Sequence, residues 1–188
     1  MSLHPCCLRP AEWAHVSWLE RRRPPANERV WRQCSLQLLA RFPQLARTPG
    51  RLPPVPHGRP AFAKLCRLIA ACAMPTRMRC CIGASERSAV AVHLGRHALD
   101  ALQRHTTSAA RSTRDDVLAL DPRDRLAMTS AGLCLLRIGC SDRCETLWLA
   151  LRLPHAVSAA PALAEAGIDP RSARAAVARA RWLWRMSC

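Results

Sequence analysis

Along most of this chain apolar residues recur at three- and four-residue steps, the spacing of a helix with one buried face. Trp31, Cys34, Leu38 and Phe42 form such a stripe in "ERVWRQCSLQLLARF", and Asn27, just before it, is a suitable N-cap. Phe62, Leu65, Cys66, Ile69 and Cys72 form a second stripe. It predicts a helix over 61–74 that stops before Pro75, because proline disfavours helix in the residue preceding it. "TRMRCCIGA" then reads as a turn with a short apolar patch. Ala89, Val90, His93, Leu94, His97, Ala98, Ala101 and Leu102 share one broad face of a single helix over 86–105, with Ser85 as its cap. Leu126, Leu133 and Leu136 centre another over 123–138. The last helix, over 171–185, has the clearest start: Asp169 supplies an N-cap and Pro170 the first helical position. On it Ala173, Val177, Ala180 and Trp184 lie on one side, while Arg171, Arg174, Arg181 and Arg185 fan across the other with Trp182 among them.

One segment fits two periods. In "ETLWLALRLP", Leu147, Leu149, Leu151 and Leu153 alternate as in a half-buried strand, while Leu147 and Leu151 also suit a helix capped by Asp142. Helical neighbours favour helix and leave a minor β segment near 147–153 open. Residues 1–26, with "WLERRRPP", read as an irregular arm or short helix. Residues 48–60, with five prolines and two glycines, read as a linker or surface loop. "TTSAARSTRDD" is polar, and "HAVSAAPALAEAGI" is a proline-broken connection. The pattern predicts a mainly α fold, a single irregular helical domain over 1–188 with short non-helical arms.

The 188 residues are 49% hydrophobic and 22% charged, enough to bury a core without staples. Basic residues number 29 against 13 acids, a net charge of +16. Lys64 is the only lysine, there is no tyrosine, and Asn27 is the only asparagine. That bias is what GC-rich codon usage produces, so part of the charge is mutational. The surplus still surrounds the fold with a positive field, for which nucleic acid, an anionic membrane surface or an acidic protein are the physical partners. The arginines are spread along the chain rather than gathered in a nucleic-acid motif. "MSLHPCCLRPAEW" lacks the continuous apolar region of a secretory signal. No uncharged apolar run approaches the roughly 18 residues of a spanning helix. The expected compartment is the cytosol, where eleven cysteines stay reduced.

Cysteine and histidine are plentiful enough to raise zinc. His93 and His97 fall on one predicted helical face, and Cys140 and Cys144 have a similar spacing. Structural zinc sites, however, show two close pairs. Here Cys66 and Cys72 are too far apart, and Cys80 and Cys81 are adjacent. The cysteines therefore read as small buried hydrophobes and the histidines as helix-face residues. Arginines around Cys80 and Cys81 could lower a thiol pKa, but no local enzyme signature accompanies them. "IGASERS" lacks the P-loop lysine, and neither G-x-S-x-G nor H-E-x-x-H occurs. Asp115 and Asp116, with arginines close by, read as a solvated turn. The best local binding surface is the C-terminal face of Arg174, Arg181, Trp182 and Arg185, since arginine and tryptophan most often anchor protein interfaces.

Read in order, several segments resemble the SctK (YscK/OrgA) family, accessory proteins of bacterial type III secretion sorting platforms. The likeness starts with "CLRPAEWAHVSWL" and is strongest in "KLCRLIAACAMPTRMRCCIGASERSAVAVHLGRHALDALQRH". There a Leu-Cys-Arg-Leu helix, a break, an arginine-cysteine step and a second amphipathic helix follow one another. It recurs in "SAGLCLL" and "LWLALRLPHAVSAAP", and a basic helix near the C-terminus completes the order. The arginine excess and the missing tyrosines depart from many relatives. The resemblance implies a cytosolic adaptor with no catalytic residues, cofactor, metal or small-molecule substrate. Such a protein sits peripherally beneath the inner membrane and links the ring protein SctD to the pod protein SctQ, and through it to SctL and the ATPase SctN. A basic nucleic-acid-binding protein is the alternative, and a small cysteine-based metal protein the third reading.

Overall fold

The computed structural model describes residues 10–19, 26–46, 55–56, 58–81, 83–108, 117–139, 143–159 and 168–187. Among them are ten α-helices, two short 3₁₀ turns and no strand, so the fold is mainly α. By internal packing the chain divides into two compact units, Met1–Val55 with Cys140–Ala160, and Pro56–Gly139 with Pro161–Cys188.

The first unit contains α1 (Pro10–Trp13), a 3₁₀ turn at Val16–Leu19, α2 (Glu28–Arg41) and a second 3₁₀ turn at Pro43–Ala46. It also holds α8 (Arg143–Leu151) and α9 (His155–Ala159). Asn27 caps α2 as its position predicts: its side-chain oxygen accepts from the Val30 N–H at 3.0 Å. The stretch read as an N-terminal arm supplies much of the core, since Trp13, Trp18 and Leu19 are buried with Cys34, Leu38, Trp148 and Leu151. Two of these indoles also fix backbone. Trp13 Nε1 donates to the Trp148 carbonyl and Trp18 Nε1 to the Leu153 carbonyl, each at 2.8 Å. The His15 N–H donates to the Leu151 carbonyl at 2.7 Å.

These bonds sit on the segment whose period was ambiguous. It is helical through Leu151, then turns, with the Arg152 and Leu153 N–H groups donating back to the Leu149 and Ala150 carbonyls. The strand-like alternation arises because Trp148, Leu149, Ala150 and Leu151 are buried in succession. A helix end covered on all sides carries no polar face to reveal its period.

The second unit contains α3 (Arg59–Cys72), α4 (Pro75–Cys80), α5 (Ala84–Leu94), α6 (Arg96–Ser108), α7 (Arg125–Gly139) and α10 (Pro170–Ser187). Its centre is α3, buried at every position from Leu65 to Cys72 and packed against both α7 and α10. The α3–α7 crossing is close because Gly132 sits at the contact: a Cβ there would overlap the Cys66 carbonyl. Met78 and Leu94 are fully buried, and Gln103 Nε2 on α6 donates to the Met78 and Cys81 carbonyls at 3.4 and 3.3 Å.

Three local expectations are corrected here. Within "TRMRCCIGA", read as a turn, "TRMRC" is instead the body of α4, started by Pro75 at its first position and held by buried Met78, with Cys81 as the C-cap. The single helix over 86–105 is two helices, broken where Gly95 takes φ 89, a left-handed value that glycine adopts without strain. The Gly95 N–H closes α5 on the Ala91 carbonyl, and its own carbonyl accepts from Leu99 to open α6. Ser85 is not the cap of α5; Gly83 stands there, and Ser85 lies in the first turn. Asp142, most of the proline-rich stretch 48–60 and Asp115–Asp116 fall outside the described residues.

Candidate functional site

The four residues singled out by charge and aromaticity all lie on α10. Asp169 caps this helix, its carboxylate accepting from the Arg171 and Ser172 N–H groups at 3.2 Å. Those bonds, the Arg171 N–H first, hold its carboxyl below the usual range. The rest of the helix is mostly alanine and arginine, both strong helix formers. Ala173, Ala176, Val177, Ala180 and Leu183 are buried, and α10 lies on α3, α7 and α6. Small side chains here allow a close seat: Arg174 Cγ and Val177 Cγ2 both come to 3.7 Å of a Cβ built at Gly139. The inward face matches the expected one except at Trp184, which is half-buried, with Lys64 Nζ 6.0 Å from its ring centroid.

Arg174, Trp182 and Arg185 are exposed, and Arg181 is half-buried at the edge of the same face. At about 100° per residue the four side chains fall within an arc of roughly 100°. Trp182 is 44% exposed, whereas Trp13, Trp18 and Trp148 are buried. The charge-based reading missed Met186, which lies one turn beyond Trp182 and is 69% exposed. The four-residue step from Trp182 is the signal that could have found it. No acidic residue occurs anywhere on α10. Guanidinium groups so placed can bind carboxylates or phosphates in fork geometry. The indole offers an apolar surface with a polar edge.

The other polar groups the sequence raised have different environments. Arg67 is 5% exposed, its Nε donating to the His93 carbonyl at 3.0 Å and its Nη1 to Thr129 Oγ1 at 3.4 Å. Burial, then the charge of Arg125, pulls its pKa below the usual guanidinium range. These bonds tie α3 to α5 and α7. His93 is buried, and burial followed by the nearby Arg67 charge holds its imidazole below 6.5. His97 is exposed on α6, on the far side of the Gly95 break, so the expected pair on one helix does not form.

Cys66 and Cys72 face inward as expected, and burial pushes both thiols up to about 12. Cys80 and Cys81 line a cavity of about 320 Å3 with Arg77 and Arg123. The arginines do not activate the buried thiol. Burial, then Glu86 and Cys80, raises Cys81, while Arg123 pairs with Asp121 at 3.0 Å and Arg77 donates to the Leu120 carbonyl. Among the described residues no group of three or more His, Cys, Asp or Glu side chains could hold a metal ion. No described helix is long and apolar enough to cross a membrane.

Comparison with protein-family models, curated proteins and solved structures gives no match to this chain.

Proposed function

We propose that this chain is a non-catalytic adaptor whose outer α10 face binds another protein, and that its setting is the sorting platform of a bacterial type III secretion system. The observation that carries the protein-binding part is Trp182, 44% exposed on an acid-free helix and flanked by Arg174, Arg181 and Arg185. The opposite face of α10 is embedded on α3 and α7, so the outer face is presented on a fixed support and no large rearrangement is needed to expose it. The secretion assignment is supported by the collinear likeness of "CLRPAEWAHVSWL", "KLCRLIAACAM…", "SAGLCLL" and "LWLALRLPHAVSAAP" to the SctK family. In that setting the protein works on the cytoplasmic side, peripheral to the inner membrane. It bridges an SctD-like ring protein to an SctQ-like pod protein, and through the pod to SctL- and SctN-like subunits. Its mechanism is rigid bridging, with binding energy rather than chemistry as its output.

Affinity purification of the tagged chain from secretion-competent cells, with nuclease treatment, tests this reading. Nuclease-resistant recovery of the ring and pod proteins supports it. Recovery of DNA or RNA alone identifies a basic nucleic-acid-binding protein and rejects the adaptor.

A further inference from the structure

We propose that the outer face of α10 is a seam for docking one amphipathic helix with an acidic edge, supplied by a different protein. The inference rests on the protein-binding part of the adaptor reading and not on the secretion assignment. Ala175, Ala178, Trp182 and Met186 are all exposed and follow one another at steps of three, four and four residues. At about 100° per residue they form a stripe roughly 80° wide, the spacing at which one helix packs along another. The stripe is graded: two alanines at its N-terminal half let a partner backbone come close, and tryptophan and methionine at the other half supply the contact area. Among the described residues five large apolar side chains are exposed: Leu36, Val92, Leu126, Trp182 and Met186. Only the last two share a helix, and they stand one turn apart.

Charge fixes the occupant. Arg174, Arg181 and Arg185 run along one side of the stripe within roughly 40° of each other, and α10 has no acid to neutralise them. Flanking positions of a paired helix select the partner's charge, so glutamates or aspartates are required opposite. A second copy of this chain would bring arginine against arginine, on a molecule already at +16. Nucleic acid would use the arginines, but its phosphate backbone leaves Ala175, Ala178 and Met186 without an apolar counterpart.

The test uses the full chain and two labelled synthetic helices about three heptads long. Both carry leucine at the seam positions; one has glutamate on both flanks and the other lysine. Fluorescence anisotropy should show the glutamate helix binding at least about tenfold tighter, and Trp182→Ala should weaken it about tenfold. Ala178→Gln, which crowds the seam, should weaken it as well. Reversing all three charges, R174E with R181E and R185E, should turn the preference to the lysine helix. If that variant does not fold, R181Q with R185Q must still narrow the preference. Equal affinity for the two helices, or an unchanged affinity in Trp182→Ala, overturns the proposal. So does an oligonucleotide that displaces the glutamate helix and is itself lost in Trp182→Ala, or self-association of the chain lost in that variant. A positive result without recovery of ring and pod proteins would retain the seam and reject only the secretion setting.

Discussion

Two helices of the second unit, α3 and α10, pack against each other and use similar residue types in opposite ways. The cysteines of α3, Cys66 and Cys72, are buried, and so is Arg67, whose guanidinium is spent on the His93 carbonyl and Thr129. On α10, Arg174 and Arg185 are exposed, and alanines fill the inner face. The segment with the most reactive residue types is therefore packing, while a plain alanine-arginine helix presents exposed arginines and Trp182. What distinguishes them is coverage. α3 is enclosed by α7 and α10, which leaves a thiol there only the role of a small hydrophobe. Among the described residues α10 packs on α3, α6 and α7 through one side, and Arg174, Ala175, Ala178, Trp182, Arg185 and Met186 on the other are exposed.

The contrast can be broken most sharply with a thiol reagent. Under native conditions Cys80, exposed at the end of α4, should be alkylated at least about a thousandfold faster than Cys66 or Cys72. Those two react only when the unit opens, and mass spectrometry of the peptides reads the ratio. Comparable labelling of Cys66 would show that α3 is not enclosed. The next effect concerns the α3–α7 crossing. Gly132→Ala forces a methyl group onto the Cys66 carbonyl and should cost about 3 kcal/mol in urea unfolding. A change near zero would mean the helices do not approach closely there.

A smaller effect is set by pH. His93 is held below 6.5 in the folded chain, by burial first and Arg67 second. As the pH drops below about 6.5 the unfolded chain takes up a proton at this site that the folded chain does not. Stability should fall over that range and level off once the folded imidazole also protonates. Above it the ring is neutral in both states and adds no slope. Comparing His93→Gln with the parent chain isolates this contribution; identical pH profiles would contradict the burial of the ring.

Much of this architecture is readable from residues alone. Asn27 and Asp169 act as caps because their side-chain acceptors sit where the first turns leave N–H groups open. The stripes of α2 and α3 mark their buried sides, whereas on α7 Leu133 and Leu136 are buried and Leu126, expected with them, is 59% exposed. The outer residues of α10 were legible because a helix with one buried face projects the remaining positions outward. Other features depend on tertiary context. The Gly95 break leaves apolar periodicity nearly intact across 86–105, and the α4 helix is too short to show a period. The burial of Arg67 follows from a carbonyl 26 residues away in sequence, which no local pattern contains. Met186 carries no charge, and only the four-residue step from Trp182 places it on this face.

The central claim is that the outer face of α10 binds a protein. It is tested most directly by measuring the thermal midpoint and nuclease-resistant partner recovery of Trp182→Ala side by side with the parent chain. The account predicts a variant that still unfolds in one cooperative transition at a measurable midpoint, together with loss of the ring and pod proteins. Undiminished recovery of those proteins by a folded Trp182→Ala chain would contradict it.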